Sequence, residues 1–203
     1  SSAWSMRAVE PTPSPVRVSE RLTNALKEVG PIAMPRRKRQ GISLFLARAV
    51  IGQQLSVKAA RSIWTRVENI SKVKDVPISD LFVDEFFSEV RGCGVSRQKF
   101  TSITAIWEAE REGRLCDAEL FTMAEDQRRR KLVAINGVGS WTYDMAQIFY
   151  FRLPDVWPET DVAVQKTFLR LSGRRSGTRE AETFSPYRSF LALSMWRVVD
   201  GGR

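Results

Sequence analysis

Apolar residues recur at helical spacing along nearly the whole chain, and strand-like alternation of apolar and polar positions is nowhere sustained. The segment with Phe100, Ile103, Ile106 and Trp107 shows this most clearly, because an apolar side chain returns every three or four residues. One face of each such helix would be buried against its neighbours. The pattern therefore predicts an all-α domain of about nine or ten helices.

Capping and breaking residues mark the ends of these helices. Ser19 can cap the helix that follows it, Ser96 marks the start of another helix, and Thr160 can cap a helix closed by Ser172-Gly173. The predicted helices cover 20–29, 42–55, 57–70, 78–90, 97–113, 124–135, 140–151, 160–171 and 186–199. Residues 1–18, rich in Ser and Pro, are predicted to be a disordered or extended tail before a folded domain at 19–203.

Charge points to the kind of partner. Thirty-two Lys and Arg oppose 23 Asp and Glu over 203 residues, which gives a net charge of +9. A basic excess of this size favours a polyanion, and nucleic acid first, because counterion release adds to affinity. Many basic proteins bind no DNA, so the charge by itself leaves the partner open.

The absence of histidine removes whole classes of mechanism. Ser-His-Asp and Cys-His nucleophile systems, histidine-ligated zinc sites and the zinc-dependent base deaminases are all excluded. Cys93 and Cys116 are too few to hold an iron–sulfur cluster and are expected to be reduced thiols of a cytosolic protein. No apolar run is long enough to span a membrane and the start resembles no secretory signal, so a location with DNA is expected, in the cytoplasm and nucleoid or in the nucleus.

Two features between Leu132 and Phe168 carry candidate chemistry. The Gly137-Val138-Gly139 turn separates two helical segments, and the amides of Val138, Gly139 and Ser140 could hold a phosphate at the start of the second helix. An ordinary helix–helix turn would use the same residues. Asp161 follows shortly after the second helix and could assist cleavage of an N-glycosidic bond, or could simply cap the next helix.

Five motifs in order give these features a context. Asn136-Gly-Val-Gly-Ser-Trp-Thr, followed by Pro158-Glu-Thr-Asp161 and Phe168, resembles the helix-hairpin-helix, Gly/Pro-rich loop and Asp signature of DNA glycosylases. Leu46–Val57 is similar to the helix and loop that carry the DNA wedge of that family, and Gly94–Lys99 to the turn before the next helix. The stretch Pro186–Trp196 resembles the closing helix of the 3-methyladenine DNA glycosylase II branch.

The resemblance implies two helical lobes with a DNA-binding cleft between them. One lobe would cover about 42–157 and carry the hairpin at 124–151, and the other would combine about 19–41 with 158–203. Asp161 would lie at the mouth of the cleft, stabilise the oxocarbenium-like sugar and orient a water. Its competitors among nearby acids are Asp144, Asp155 and Glu159.

The resemblance also implies a reaction type and a base pocket. The residue after Ser140 is a lysine nucleophile in glycosylase/lyase relatives, but here it is Trp141, and Lys166 lies off the family position. We therefore expect a monofunctional enzyme. Trp141 and Trp196 correspond to aromatic pocket positions that suit a cationic alkylated purine, although both could instead be core residues, as expected for Trp64 and Trp107.

The remaining implied sites involve DNA insertion and a cation. Gln54 aligns with the wedge that fills the gap left by a flipped base, with Leu55 beside it, although a plain polar helix end would look the same. No cofactor is expected except a possible structural sodium or potassium ion. That ion would be held by the main-chain carbonyls of Val133, Ile135 and Val138.

The sequence thus predicts a monomeric base-excision repair enzyme that removes alkylated purines such as 3-methyladenine from damaged double-stranded DNA. Two alternatives stay open. One is a non-catalytic helix-hairpin-helix module that binds DNA without excising a base. The other keeps the chemistry but acts on uracil, hypoxanthine or an oxidised base.

Overall fold

A computed structural model describes residues 19–36, 40–173 and 180–201. Within these ranges the chain forms α-helices and short helical turns and no β-strand, which confirms the all-α prediction. The predicted tail at 1–18 lies outside the described residues, and so does most of the basic segment 35–39, which the sequence places in a loop between the first two predicted helices.

Helix boundaries largely follow the capping residues. Ser19 accepts a hydrogen bond from the Leu22 amide at 3.2 Å, so the predicted cap is confirmed. Ser96, at the predicted start of a helix, caps α5 by accepting a hydrogen bond from the Lys99 amide at 3.3 Å. The helices are α1 Glu20–Val29, α2 Ile42–Gly52, α3 Val57–Lys74, α4 Phe87–Gly92, α5 Arg97–Arg111, α6 Asp117–Thr122, α7 Glu125–Val133, α8 Ser140–Met145, α9 Val162–Ser172 and α10 Arg188–Gly201. Helix α8 runs on into a wider helical turn at Ala146–Tyr150.

The single helix predicted for 78–90 is wrong. Two short turns, Ile78–Leu81 and Asp84–Phe86, precede α4, and the chain between them is extended at Val83. Contacts with α5 explain the break. The Phe82 ring packs against Phe100 at 5.4 Å, and the Phe82 carbonyl accepts the Thr104 hydroxyl at 3.1 Å.

Residues 39–143 form one compact unit. Its centre is α2, which packs against both α3 and α5, while α4 packs against α3 and α5. Leu46 of α2 and Ile103 of α5 are fully buried there. Trp64 and Trp107 are also buried, so their assignment to the core is confirmed.

The described residues before position 39 and after position 143 form the second unit, in which α1, α9 and α10 pack together. Its core contains Leu22 from α1, Phe168 from α9 and Leu191 from α10, with Trp157 against Phe168 at a ring distance of 5.0 Å. The Ser19 hydroxyl donates to the Leu171 carbonyl and so ties the start of α1 to the end of α9.

The boundary between the units falls between Tyr143 and Asp144, whereas the resemblance implied a boundary near 157. Residues 144–157 join the second unit because they pack on α10. The Phe149 ring lies 5.5 Å from that of Trp196. The Ser189 hydroxyl accepts a hydrogen bond from the Val156 amide at 2.9 Å and donates one to the Leu153 carbonyl at 2.7 Å.

No helix in the described ranges is both long and apolar enough to cross a bilayer. The same residues contain no cluster of His, Cys, Asp and Glu side chains that could hold a metal ion. Cys93 and Cys116 are both free thiols, the first buried and the second exposed.

Candidate active site

Asp161 is buried at the start of α9. It is the N-cap residue, and its Oδ1 accepts the Val164 amide hydrogen at 2.8 Å. The prediction that Thr160 caps this helix is therefore wrong: Thr160 is exposed, and the next side chain along reaches the orphan amide. A carboxylate at this position is stabilised by the helix dipole, and only 7% of the residue's surface is exposed.

The competing acids have different surroundings. Asp155 is engaged on both oxygens, because Arg188 donates to Oδ1 at 2.7 Å and Ser185 donates to Oδ2 at 2.8 Å. Burial works to raise the pKa of Asp155, but these hydrogen bonds outweigh it and leave the pKa below its usual value. Asp144 is buried inside a helix and Glu159 is exposed. Asp161 is thus the acid of this segment that is both buried and placed at a helix N-terminus.

The hairpin turn between α7 and α8 fits tightly against α5. Gly137 has φ = 86°, and a Cβ there would lie 2.2 Å from the Cβ of Ser102. Only glycine meets both conditions. Gly139 differs, because its φ is not positive and a Cβ there would meet no atom within 4 Å. The space beside Gly139 is therefore open to a ligand.

The turn divides the predicted phosphate-binding amides. The Val138 amide donates to the Ile135 carbonyl at 3.0 Å, which closes the turn and engages that donor within the protein. The amides of Gly139 and Ser140 have no acceptor among the described residues. Of the three predicted phosphate-binding amides, those of Gly139 and Ser140 are therefore still available to a phosphate. They lie at the start of the helical run 140–150.

The basic run Arg128–Lys131 on α7 separates into different roles. Arg128 is buried against backbone carbonyls, and Arg130 and Lys131 pair with acids on the protein surface. Arg129 contacts the hairpin at the start of α8: its guanidinium lies 5.3 Å from the centre of the Tyr143 ring and donates to the Ser140 hydroxyl at 3.3 Å. It places a positive charge beside the amides of the turn.

The predicted wedge lies in a β-turn after α2. Gln53 has φ = −54° and ψ = 127°, Gln54 has φ = 59°, and the Leu55 amide donates to the Gly52 carbonyl at 3.1 Å. These are the angles of a type II turn, whose third position favours glycine. The exposed Gln54 occupies it instead, at a cost of about 1 kcal/mol. Strained positions of this kind concentrate at functional sites.

The turn is anchored on both sides. The Gln53 side-chain amide donates to the Gly137 carbonyl at 3.1 Å and to the Thr142 hydroxyl at 2.8 Å. The Lys99 ammonium donates to the carbonyls of Ile51 and Gln53 at 2.7 and 2.8 Å, and burial lowers its pKa. The wedge turn, the hairpin and α5 thus form one hydrogen-bonded junction.

The two predicted pocket tryptophans have different surroundings. Trp141 is half-buried on the first turn of α8. Trp196 is half-buried on α10, packs against the core of its unit and contacts the Phe149 ring. The two residues belong to different units, and their common role in a base pocket stays a prediction.

The predicted cation carbonyls are only partly compatible with an ion. The Ile135 carbonyl already accepts the Val138 amide at 3.0 Å, although a carbonyl oxygen has a second lone pair. Val133 is exposed while Ile135 and Val138 are buried. A cation at this turn stays a prediction.

Sequence reasoning assigned no role to Gln53 or Lys99, although Lys99 lies in a motif that carries the resemblance. It treated Arg129 only as one member of a basic run that adds positive charge near the hairpin. Gln53 directly precedes the wedge position, but its partners in the hairpin are 84 and 89 positions away. Nothing local in the sequence indicates that contact.

Comparisons with known proteins agree with this arrangement. The chain is 29% identical to DNA-3-methyladenine glycosylase 1 of Schizosaccharomyces pombe over 160 residues, covering 75% of the chain and 70% of that protein. It is 25% identical to the alkylbase DNA glycosidase-like protein mag2 of the same organism, covering 89% of both. No family model matches.

Solved structures share the fold. The S. pombe 3-methyladenine DNA glycosylase in complex with abasic DNA superposes with a TM-score of 0.78 at 28% identity, covering 89% of this chain and 92% of that one. The DNA-3-methyladenine glycosidase of Bacillus halodurans gives 0.69 at 29% identity, covering 88% and 84%. With the hairpin, the turn after α2 and Asp161 in the order of the family signature, the chain has the fold of the helix-hairpin-helix DNA glycosylases and is similar in sequence to 3-methyladenine DNA glycosylases.

Proposed function

We propose that this chain is a DNA glycosylase that hydrolyses the N-glycosidic bond of alkylated purines, such as 3-methyladenine, in duplex DNA and leaves an abasic site. One observation carries the proposal: Asp161 is buried at the N-terminus of α9 in a fold shared with 3-methyladenine DNA glycosylases. Similarity to relatives named for that activity supports the choice of substrate.

The chemistry needs one carboxylate. As the bond between C1′ and the base nitrogen breaks, its electron pair leaves with the base and the sugar becomes cationic. Asp161 stabilises that charge and orients a water, whose oxygen bonds to C1′ while its proton passes to the carboxylate or to solvent. A purine alkylated at a ring nitrogen already carries a positive charge, so it departs neutral without a general acid. A chain without histidine suits such a substrate.

We propose hydrolysis without strand cleavage. Covalent lyase chemistry requires an amine that attacks C1′ and forms a Schiff base. The hairpin position that would supply the amine is Trp141, and Lys166 is exposed on α9. Borohydride treatment of the reacting complex should therefore trap no covalent enzyme–DNA adduct.

DNA contact is assigned to the hairpin and the wedge turn. The amides of Gly139 and Ser140, with Arg129 beside them, would hold a backbone phosphate. Gln54 and Leu55 are exposed at the tip of the turn after α2 and would occupy the gap that the rotated nucleotide leaves. Since several phosphate contacts release counterions, binding should weaken steeply as salt rises.

Trp141 and Trp196 are each proposed to contact the damaged base. An indole face attracts a cation more strongly than it attracts a neutral ring, so either side chain would favour alkylated purines over normal ones. Both side chains are half-buried, which leaves part of each ring available for contact. We expect the protein to act as a monomer on damaged DNA, in the nucleoid or in the nucleus.

A lesion panel tests the proposal. Duplexes with 3-methyladenine, 7-methylguanine, hypoxanthine, uracil or 8-oxoguanine are incubated with the wild type and with Asp161→Asn, and base release is measured. Release of the methylated purines by the wild type alone supports the proposal. Release of only a neutral base would show that the substrate is not an alkylated purine. DNA binding without release of any base would indicate a non-catalytic module.

A further inference from the structure

Gln53 connects two DNA-contact elements that are far apart in sequence. Its backbone is the second residue of the turn that presents Gln54, and its side-chain amide donates to the Gly137 carbonyl and the Thr142 hydroxyl. Gly137 lies in the hairpin, and Thr142 lies on the first turn of α8. One side chain therefore fixes the wedge turn to the element that holds the phosphate.

Both hydrogen atoms of the Gln53 side-chain amide are used in these contacts. Both bonds come from the same side-chain nitrogen, at 3.1 and 2.8 Å, so its two hydrogens have one acceptor each. Thr142 is fully buried, and Gly137 lies so close to Ser102 that a Cβ at position 137 would clash with it. Both acceptors lie in tightly packed surroundings, and a confined acceptor pair orients the residue that donates to it.

Lys99 secures the other side of the same turn. Its ammonium bridges the Ile51 and Gln53 carbonyls at the C-terminus of α2, where the helix dipole favours a cation. Position 53 is therefore held through its carbonyl by α5 and through its side chain by the hairpin. The strained backbone of Gln54 follows directly.

We propose that Gln53 is a positioning residue that couples phosphate binding at the hairpin to insertion of the Gln54–Leu55 wedge. The inference rests on the proposed function. When the hairpin binds a phosphate, the distance from that phosphate to the wedge is set by the Gln53 bonds rather than by a flexible loop. Pre-organisation of this kind lowers the ordering cost of inserting the wedge.

The test uses Gln53→Met, which keeps the length of the side chain and removes both donors. Its matched control is Gln127→Met, at an exposed glutamine of α7 whose side chain makes no hydrogen bond to the described residues. The DNA is a duplex with a tetrahydrofuran abasic analogue and 2-aminopurine beside it, whose fluorescence reports filling of the gap without requiring excision. A Gln54→Ala/Leu55→Ala variant, which lacks the wedge side chains, gives the fluorescence expected when the gap is not filled.

Coupling predicts a specific pattern. Gln53→Met should bind this duplex within about threefold of the wild type, lose most of the fluorescence change, and excise the methylated base about tenfold more slowly in single turnover, with Tm within about 3 °C. Gln127→Met should match the wild type in every measurement. Combining Gln53→Met with Thr142→Val should add little further loss, because both remove the same bond.

Three results would overturn the inference, and they differ from one another. Wild-type fluorescence and rate in Gln53→Met would show that the bonds do not position the wedge. A parallel fall of affinity, rate and Tm would show a purely structural role. If the wild type binds the duplex and gives no fluorescence change, the wedge assignment of the proposed function itself fails, and the inference fails with it.

Discussion

The Asp161 carboxylate accepts the Val164 amide hydrogen through Oδ1, so one side chain both caps α9 and is the proposed catalytic group. The two roles can be separated by substitution. Asparagine keeps a capping oxygen but loses the negative charge, whereas alanine loses both. Asp161→Asn should therefore lower single-turnover excision about 10²–10³-fold or more while leaving the free energy of unfolding nearly unchanged.

Asp161→Ala is the matched comparison. It should lose the same activity and also about 1 kcal/mol of stability, measured by urea unfolding. An asparagine variant that excises methylated purines at the wild-type rate would contradict the catalytic role.

The two hairpin glycines should respond to alanine in opposite ways. Gly137→Ala would place a Cβ 2.2 Å from Ser102 at a positive φ and should cost about 3 kcal/mol of stability. Gly139→Ala meets no protein atom and should leave the unfolding midpoint unchanged, yet weaken binding to duplex DNA, because its methyl group would face the bound phosphate. Urea unfolding and fluorescence anisotropy measure the two effects.

Gly113→Ala controls for backbone strain alone, since Gly113 has φ = 73° and open space around its Cβ position. It should cost only about 1 kcal/mol. Equal stability losses at 113 and 137 would show that the Ser102 contact is unimportant, and wild-type affinity in Gly139→Ala would remove the hairpin phosphate site.

Arg129 should contribute to DNA affinity more than its neighbour Arg130. Arg129 is directed at Ser140, whereas Arg130 forms a surface ion pair with Asp126 at 3.0 Å. Arg129→Ala should weaken binding and reduce the slope of log K against log salt by about 1. Arg130→Ala removes the same charge from the same helix and should change the slope much less, so equal slopes in the two variants would refute the assignment.

The ion pair of Asp155 and Arg188 should make the free energy of unfolding depend on pH in the acidic range. Since the pKa of Asp155 in the folded protein lies below the ordinary value of 3.8, the carboxylate stabilises the fold above that value, and the contribution disappears as pH falls through the lower, folded pKa. Asp155→Asn should cost about 2 kcal/mol at pH 7. Urea unfolding at several pH values should show the two proteins converging below about pH 4, and a constant difference down to pH 2 would contradict this account.

Local chemistry made much of the fold predictable. Ser19 and Ser96 cap helices through their own side chains, and that signal needs no tertiary information. At α9 two adjacent residues could cap, and packing selected Asp161 over Thr160. Around Val83 the contacts of Phe82 with α5 overrode a helical pattern that was plausible on its own.

The candidate site was predictable where a motif carried it and not where a long-range contact did. The order of the hairpin and Asp161 is written in the sequence. That the Val138 amide closes the turn, or that Gln53 reaches Gly137, depends on how helices pack. The basic run on α7 is a further example, because Arg128 is buried, Arg130 and Lys131 pair with acids, and Arg129 donates to Ser140 of the hairpin.

Because the cap at the start of α9 needs only an oxygen, replacing Asp161 by asparagine would exchange one oxygen for an NH₂ group and leave the helix intact. Repair activity could thus disappear in evolution without any pressure on folding. A change of one residue would thus separate the ability to fold from the ability to catalyse, because the two depend on different properties of the same side chain.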